Sequence, residues 1–105
     1  MNIPEKIKAG GHEYKVIVGY NFKERSDLTG QGDHALLEIR INTKDQGHLE
    51  KPESKISETF LHELLHIADY ISGHDAFKDN EKAIQGISEI LYQILKDNKL
   101  KFYED

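Results

Sequence analysis

The chain has no cysteine, no basic surplus, no internal repeat and no apolar run long enough to cross a membrane. Each absence removes a class of protein. Without cysteine there are neither disulfides nor thiolate metal sites, so any zinc must be held by imidazole and carboxylate. A transmembrane helix needs about 20 consecutive apolar residues, and nothing here approaches that. The N-terminus, Met-Asn-Ile-Pro-Glu-Lys, lacks the apolar stretch of a signal peptide, which points to a cytoplasmic protein. A formal charge of -5, with Lys and Arg scattered, disfavours nucleic acid as a partner, because phosphate binding requires a basic face. No linker or low-complexity tract divides the 105 residues. They read as one domain, 1–105, with a single modest core.

What the chain does have is His62-Glu63-Leu64-Leu65-His66, inside a stretch from Glu53 to Ser72 that contains neither Pro nor Gly. His-Glu-x-x-His on a helix is the signature of a zinc-dependent hydrolase. At 100° per residue the two histidines lie about 40° apart and one turn apart in height, so both imidazoles can face one ion. Glu63 falls about 100° round from His62, beside the metal rather than on it. There a carboxylate can take the proton of a zinc-bound water, whose pKa zinc lowers from about 15.7 to roughly 7. Ile56, Phe60, Leu64, Ile67, Ala68 and Ile71 occupy the opposite face, which predicts a helix with one core side and one chemical side.

The rest of the chain predicts an α+β domain. Ile3 to Lys8 and Glu13 to Val18 read as a hairpin about Ala9-Gly10-Gly11-His12. Thr29 to His34 reads as a loop or a glycine-weakened edge strand. Leu37, Ile39 and Ile41 alternate with Glu38, Arg40 and Asn42, giving a strand with a buried and a wet face. The histidine helix runs from near Pro52 to about Ser72, with Gly73 suited to its C-terminal cap. A second helix, capped by Asp79 or Asn80, extends to about Asn98 with Ile84, Ile87, Leu91, Ile94 and Leu95 inward. The expected fold is therefore a small, mostly antiparallel N-terminal sheet of three or four strands packed on two long C-terminal helices. The tail, Lys99 to Asp105, reads as a docked strand or a frayed end whose Leu100 to Tyr103 could fold over the cleft and keep the protein latent.

A catalytic zinc site needs a third protein ligand. Asp69, His74 and Asp75 follow the motif closely, but Asp69 is better placed to hydrogen-bond an imidazole than to ligate, and the other two have unfamiliar spacing. Glu81 and Glu89 on the next helix are the better candidates. For two antiparallel helices, Glu89 lies slightly too deep and Glu81 too shallow, with the balance toward Glu89. For the developing oxyanion, His34, His74, Tyr92 or Tyr103 could donate, while His12 and His48 read as loop residues.

A motif histidine pair with a glutamate on a separate helix resembles the gluzincin branch of the zincins. More closely, the chain resembles small metallopeptidase-like proteins of bacteriophages and prophages, through the Gly-Gly-His-Glu-Tyr turn, Leu37 to Asn42, His62 to Gly73, and Glu81 onward to Asn98. A looser similarity is to the repressor-cleaving peptidases of mobile elements, the ImmA/IrrE type, whose Glu-x-x-Ala-x-x-Phe-Ala pattern corresponds to Glu81, Ile84, Ile87 and Ser88. The resemblance implies a zincin-like fold, Glu81 as third ligand, and a host-cell cytoplasmic setting. The resulting expectation is a zinc metallopeptidase in which His62, His66 and Glu81 hold Zn²⁺, Glu63 is the general base, and the substrate is a peptide or protein. The strand Leu37 to Asn42, were it the sheet edge above the metal, would pair with that substrate. The rival is a non-enzymatic, zinc-stabilised interaction or regulatory protein of a phage or prophage.

Overall fold

Gly10 and Gly11, at φ of 59° and 82°, let the chain reverse tightly where a side chain would be strained. The reversal joins β1 (Lys6–Ala9) to β2 (His12–Val18) as an antiparallel hairpin. A second hairpin, β3 (Gly30–Asp33) with β4 (Glu38–Ile41), closes about Asp33, whose Oδ1 accepts the N–H groups of Ala35 and Leu36. The hairpins lie side by side through a parallel β2–β4 pairing, in the order β1-β2-β4-β3. Two helices follow, α1 (Glu53–Ile71) and α2 (Glu81–Asn98). The computed structural model describes residues 2–23, 28–45 and 47–100, so the expectations for Phe102, Tyr103 and most of the tail lie outside the described residues. Among them, no helix is long and apolar enough to cross a membrane.

The α+β class, with strands N-terminal and helices C-terminal, is what the pattern predicted. The sheet is mixed, because β2 and β4 run in the same direction. Two positions need correcting. β4 is interior, flanked by β2 and β3, so the edge strands are β1 and β3, and β4, the core of the expected Leu37 to Asn42 strand, does not offer a free backbone. Arg40, expected to be wet, is only 8% exposed: its guanidinium donates to Glu38, Gln31 and Asp33 and lies over the Tyr20 ring. Those partners belong to the same outer face, so the polar side of the sheet buries its own cation.

The inner face carries Tyr14, Val16, Ile39 and Ile41, which pack on Phe60 and Ile67 of α1, with Ile56 and Leu64 at the margin. Ala68 and Ile71, expected inward, are exposed. Ile71 lies against Gly10 of the β1–β2 turn, where a side chain at that position would collide with it. Among the strands and helices, α2 packs on α1 alone. It therefore buries a narrow stripe, Ile84, Ser88 and Tyr92, and leaves Ile87 and Ile94 exposed although the pattern placed them inside. Asn80 caps α2 by accepting the Ala83 N–H at 3.2 Å, and Lys99 ends it in the left-handed conformation.

Candidate metal and catalytic site

His62 and His66 leave α1 one turn apart, with ring centroids 4.9 Å from each other. Glu81, the first residue of α2, reaches between them. Nε2 of His62 donates to Oε2 at 2.9 Å, and Nε2 of His66 donates to Oε1 at 2.8 Å. The three donor atoms lie within 4.8 Å of one another. Tetrahedral bonds of about 2.0–2.1 Å place ligand atoms about 3.3 Å apart, and the His–Glu81 separations of 2.9 and 2.8 Å are close to that. Two imidazole nitrogens and one carboxylate are also the donor set of an open, three-ligand zinc site. The residues present therefore fit such an ion in kind, number and spacing.

Glu89 is not at this centre; it is exposed and accepts from the Gln85 amide at 2.8 Å. Glu89 would sit level with the histidines if α2 began level with the end of α1. Instead the intervening loop climbs back along α1 and delivers Glu81 level with the histidines. Gln85, one turn later, borders the same hollow as Lys55 and Thr59. His74 is exposed, and Asp75 borders the cleft without joining the converging donors. Asp69 does not orient an imidazole as expected: its two oxygens accept the N–H groups of Ala76 and Phe77, at 2.7 and 2.9 Å. His62 Nδ1 is buried and has no hydrogen-bond partner among the described residues, so the ring is held by packing and by its Nε2 contact with Glu81.

Glu63 is 6% exposed and points toward β3. Gly30 and Gly32 pair with Ile41 and Ile39, so both present their bare side to α1. A Cβ at Gly30 would come 3.0 Å from Glu63 Oε2 and 2.7 Å from Thr59 Cγ2. Glycine thus makes room for the carboxylate. Burial pushes the Glu63 carboxyl up to about 7, the negative charge of Glu81 adds to this, and the Gly32 N–H opposes it by donating to the carboxylate.

These groups line a cleft of about 730 Å³ bounded by β3, α1, the loop after α1 and the start of α2. His34 forms part of its wall. Its ring stacks on Tyr70 at 3.7 Å and 6°, and its Nδ1 lies 3.2 Å from the Tyr14 hydroxyl. Burial first, and Tyr70 second, raise the Tyr14 phenol above its ordinary pKa, so it stays protonated. Of the other expected donors, His74 is not on the cleft wall, Tyr92 is buried on the α1 side of α2, and Tyr103 lies outside the described residues. The pattern did not reveal the roles of Gly30, Gly32, Tyr14 and Arg40. The Gly-x-Gly alternation was a readable signal, since period two puts both glycines on one strand face.

Comparison with protein-family models, curated proteins and solved structures yields no match.

Proposed function

We propose that the chain is a zinc metallopeptidase of zincin-like, gluzincin type, acting on a peptide or protein in the cytoplasm of a phage-bearing host. The reading rests on one observation: His62, His66 and Glu81 converge on a common point in an open cleft that also holds the buried Glu63 carboxylate. Bound zinc would supply Lewis acidity, which acidifies water and polarises a carbonyl. His62 Nε2, His66 Nε2 and the Glu81 carboxylate would hold it. The Glu63 carboxylate takes a proton from the attacking water and returns it to the leaving amine, a task suited to a group that titrates near neutrality. If Tyr14 donates to Nδ1, the proton of the His34 ring sits on Nε2, where it would serve as a donor toward the oxyanion. The free edge of β3 is where an extended substrate backbone can add as a strand.

Zinc content and hydrolysis of an unstructured protein test this reading together. Glu63→Ala is expected to keep one zinc per chain and lose at least about 100-fold in kcat. The rival, a zinc-stabilised interaction module, shares the ligands but has no turnover to lose. A structural site also uses four protein ligands, whereas three donors converge here among the described residues. A wild-type protein that binds zinc tightly yet cleaves nothing would favour the rival.

A further inference from the structure

We infer that Asp69 is the positioning residue that sets Glu81 over the histidine pair, an inference that rests on the zinc reading above. Glu81 has little restraint of its own: its side chain is 66% exposed, and its carboxylate is held by the two imidazoles. Where the carboxylate reaches is therefore decided by where the backbone of the first turn of α2 is fixed. Besides the packing of Ile84 on α1, the loop that leads into that turn is tied to α1 by the side chain of Asp69. Asp69 lies on the histidine stripe, about 20° from His62 around the helix. Its Oδ1 accepts the Ala76 N–H at 2.7 Å and its Oδ2 the Phe77 N–H at 2.9 Å.

The tie continues without a gap. The Phe77 carbonyl accepts the Asn80 N–H at 3.1 Å, and the Asn80 side chain caps α2 through the Ala83 N–H. Only Lys78, Asp79 and Asn80 separate the anchored Phe77 from Glu81. The near end of the loop is fastened to the same residue, whose carbonyl accepts the Ser72 hydroxyl at 2.9 Å and the Asp75 N–H at 3.4 Å. A carboxylate accepting two backbone N–H groups forms charge-assisted bonds, stronger than a neutral side chain could make. The hydrogen bonds of the Asp69 carboxylate go to the loop and not to either histidine ring or to Glu81. Its effect on the metal must pass through the loop.

The experiment uses the full chain and two probes, zinc and cobalt. Zinc affinity is measured by competition with a chromophoric chelator, and coordination is read from the visible absorption of the cobalt form. Asp69→Ala is expected to weaken zinc binding about tenfold or more and to shift the cobalt spectrum toward that of Glu81→Ala. Asp69→Asn keeps one carbonyl acceptor, so it should fall between wild type and Asp69→Ala, and it serves if the alanine variant does not fold. In the Glu81→Ala background, Asp69→Ala should cause no further loss of affinity. Wild-type affinity in Asp69→Ala would overturn the inference alone, as would a loss of the same factor with or without Glu81. A wild-type chain that takes up neither ion would overturn the zinc reading and this inference with it.

Discussion

Glu63 places an ionisable group where only a small part of it meets the cleft, and the consequence belongs to this one residue. In the metal-free chain its carboxyl titrates at about 7, against an ordinary value of 4.5. The folded state therefore holds the proton more tightly than the unfolded state. Its stabilising contribution is complete below pH 4.5 and is lost as pH rises through about 7. The loss is of the order of 3 kcal/mol at one pKa unit per 1.4 kcal/mol. With zinc removed by chelation, the melting temperature should fall between pH 5 and pH 8 by more in wild type than in Glu63→Gln, which cannot ionise. Thermal denaturation of both proteins across that range checks it. Parallel curves would mean that the carboxylate is solvated and the pocket is not closed around it.

At the scale of the element, β3 decides whether Glu63 can sit where it does. Arg40 pins this strand to β4 from the outer face through Gln31 and Asp33, while Glu63 reaches the inner face across its glycines. The two glycines are not equivalent. A methyl at Gly30 would press to 2.7 Å from Thr59 and 3.0 Å from the Glu63 carboxylate, whereas at Gly32 the nearest atom is 3.8 Å away, on Ile67. Gly30→Ala should therefore cost about 1–3 kcal/mol of stability and reduce turnover more than tenfold while zinc content is unchanged; Gly32→Ala should be mild in both respects. Denaturation midpoints and zinc-normalised kcat for the pair test this, and equal effects would show that close approach at Gly30 is not what positions Glu63.

The same elements show what a pattern of residues can reveal and what it cannot. The alternation about Ile39 and Ile41, the two glycines of the first turn and both helices were legible because each follows from its own neighbours, whereas Leu37, expected to start that strand, lies in the turn before it at a φ of 56°. β3 was not firmly legible: Gly, Gln, Gly and Asp carry none of the β-branched bulk that marks a strand, and the strand exists because Arg40 and α1 hold it. Ile87 and Ile94 were placed inward because periodicity detects apolar residues without knowing how wide a surface will cover them. At the site, the histidine pair was local and legible. The choice of Glu81 over Glu89 depended on a loop whose path is set by Asp69, and helix-to-helix spacing alone could not supply it.

The whole molecule is layered unevenly, and this gives the zinc reading a consequence away from chemistry. Sheet and α1 share a continuous core, but α2 rests on α1 through little more than Ile84, Ser88 and Tyr92, with Ile87, Ile90 and Ile94 exposed on its outer side. Thin apolar contact makes α2 the part most easily opened. Its other link to α1 at the cleft end is Glu81 on His62 and His66. An ion bound by all three would fasten the two helices, and at 100 times its dissociation constant it would add about 2.7 kcal/mol to the folded state. Removing zinc should then raise amide exchange in Glu81–Asn98 up to about 100-fold, the same energy expressed as an opening constant, while Tyr14, Val16, Ile39 and Ile41 change far less. Hydrogen exchange read by NMR with and without chelator resolves the two regions. If α2 exchanges at one rate in both conditions, the ion does not join the helices, and Glu81 is then excluded as its third ligand.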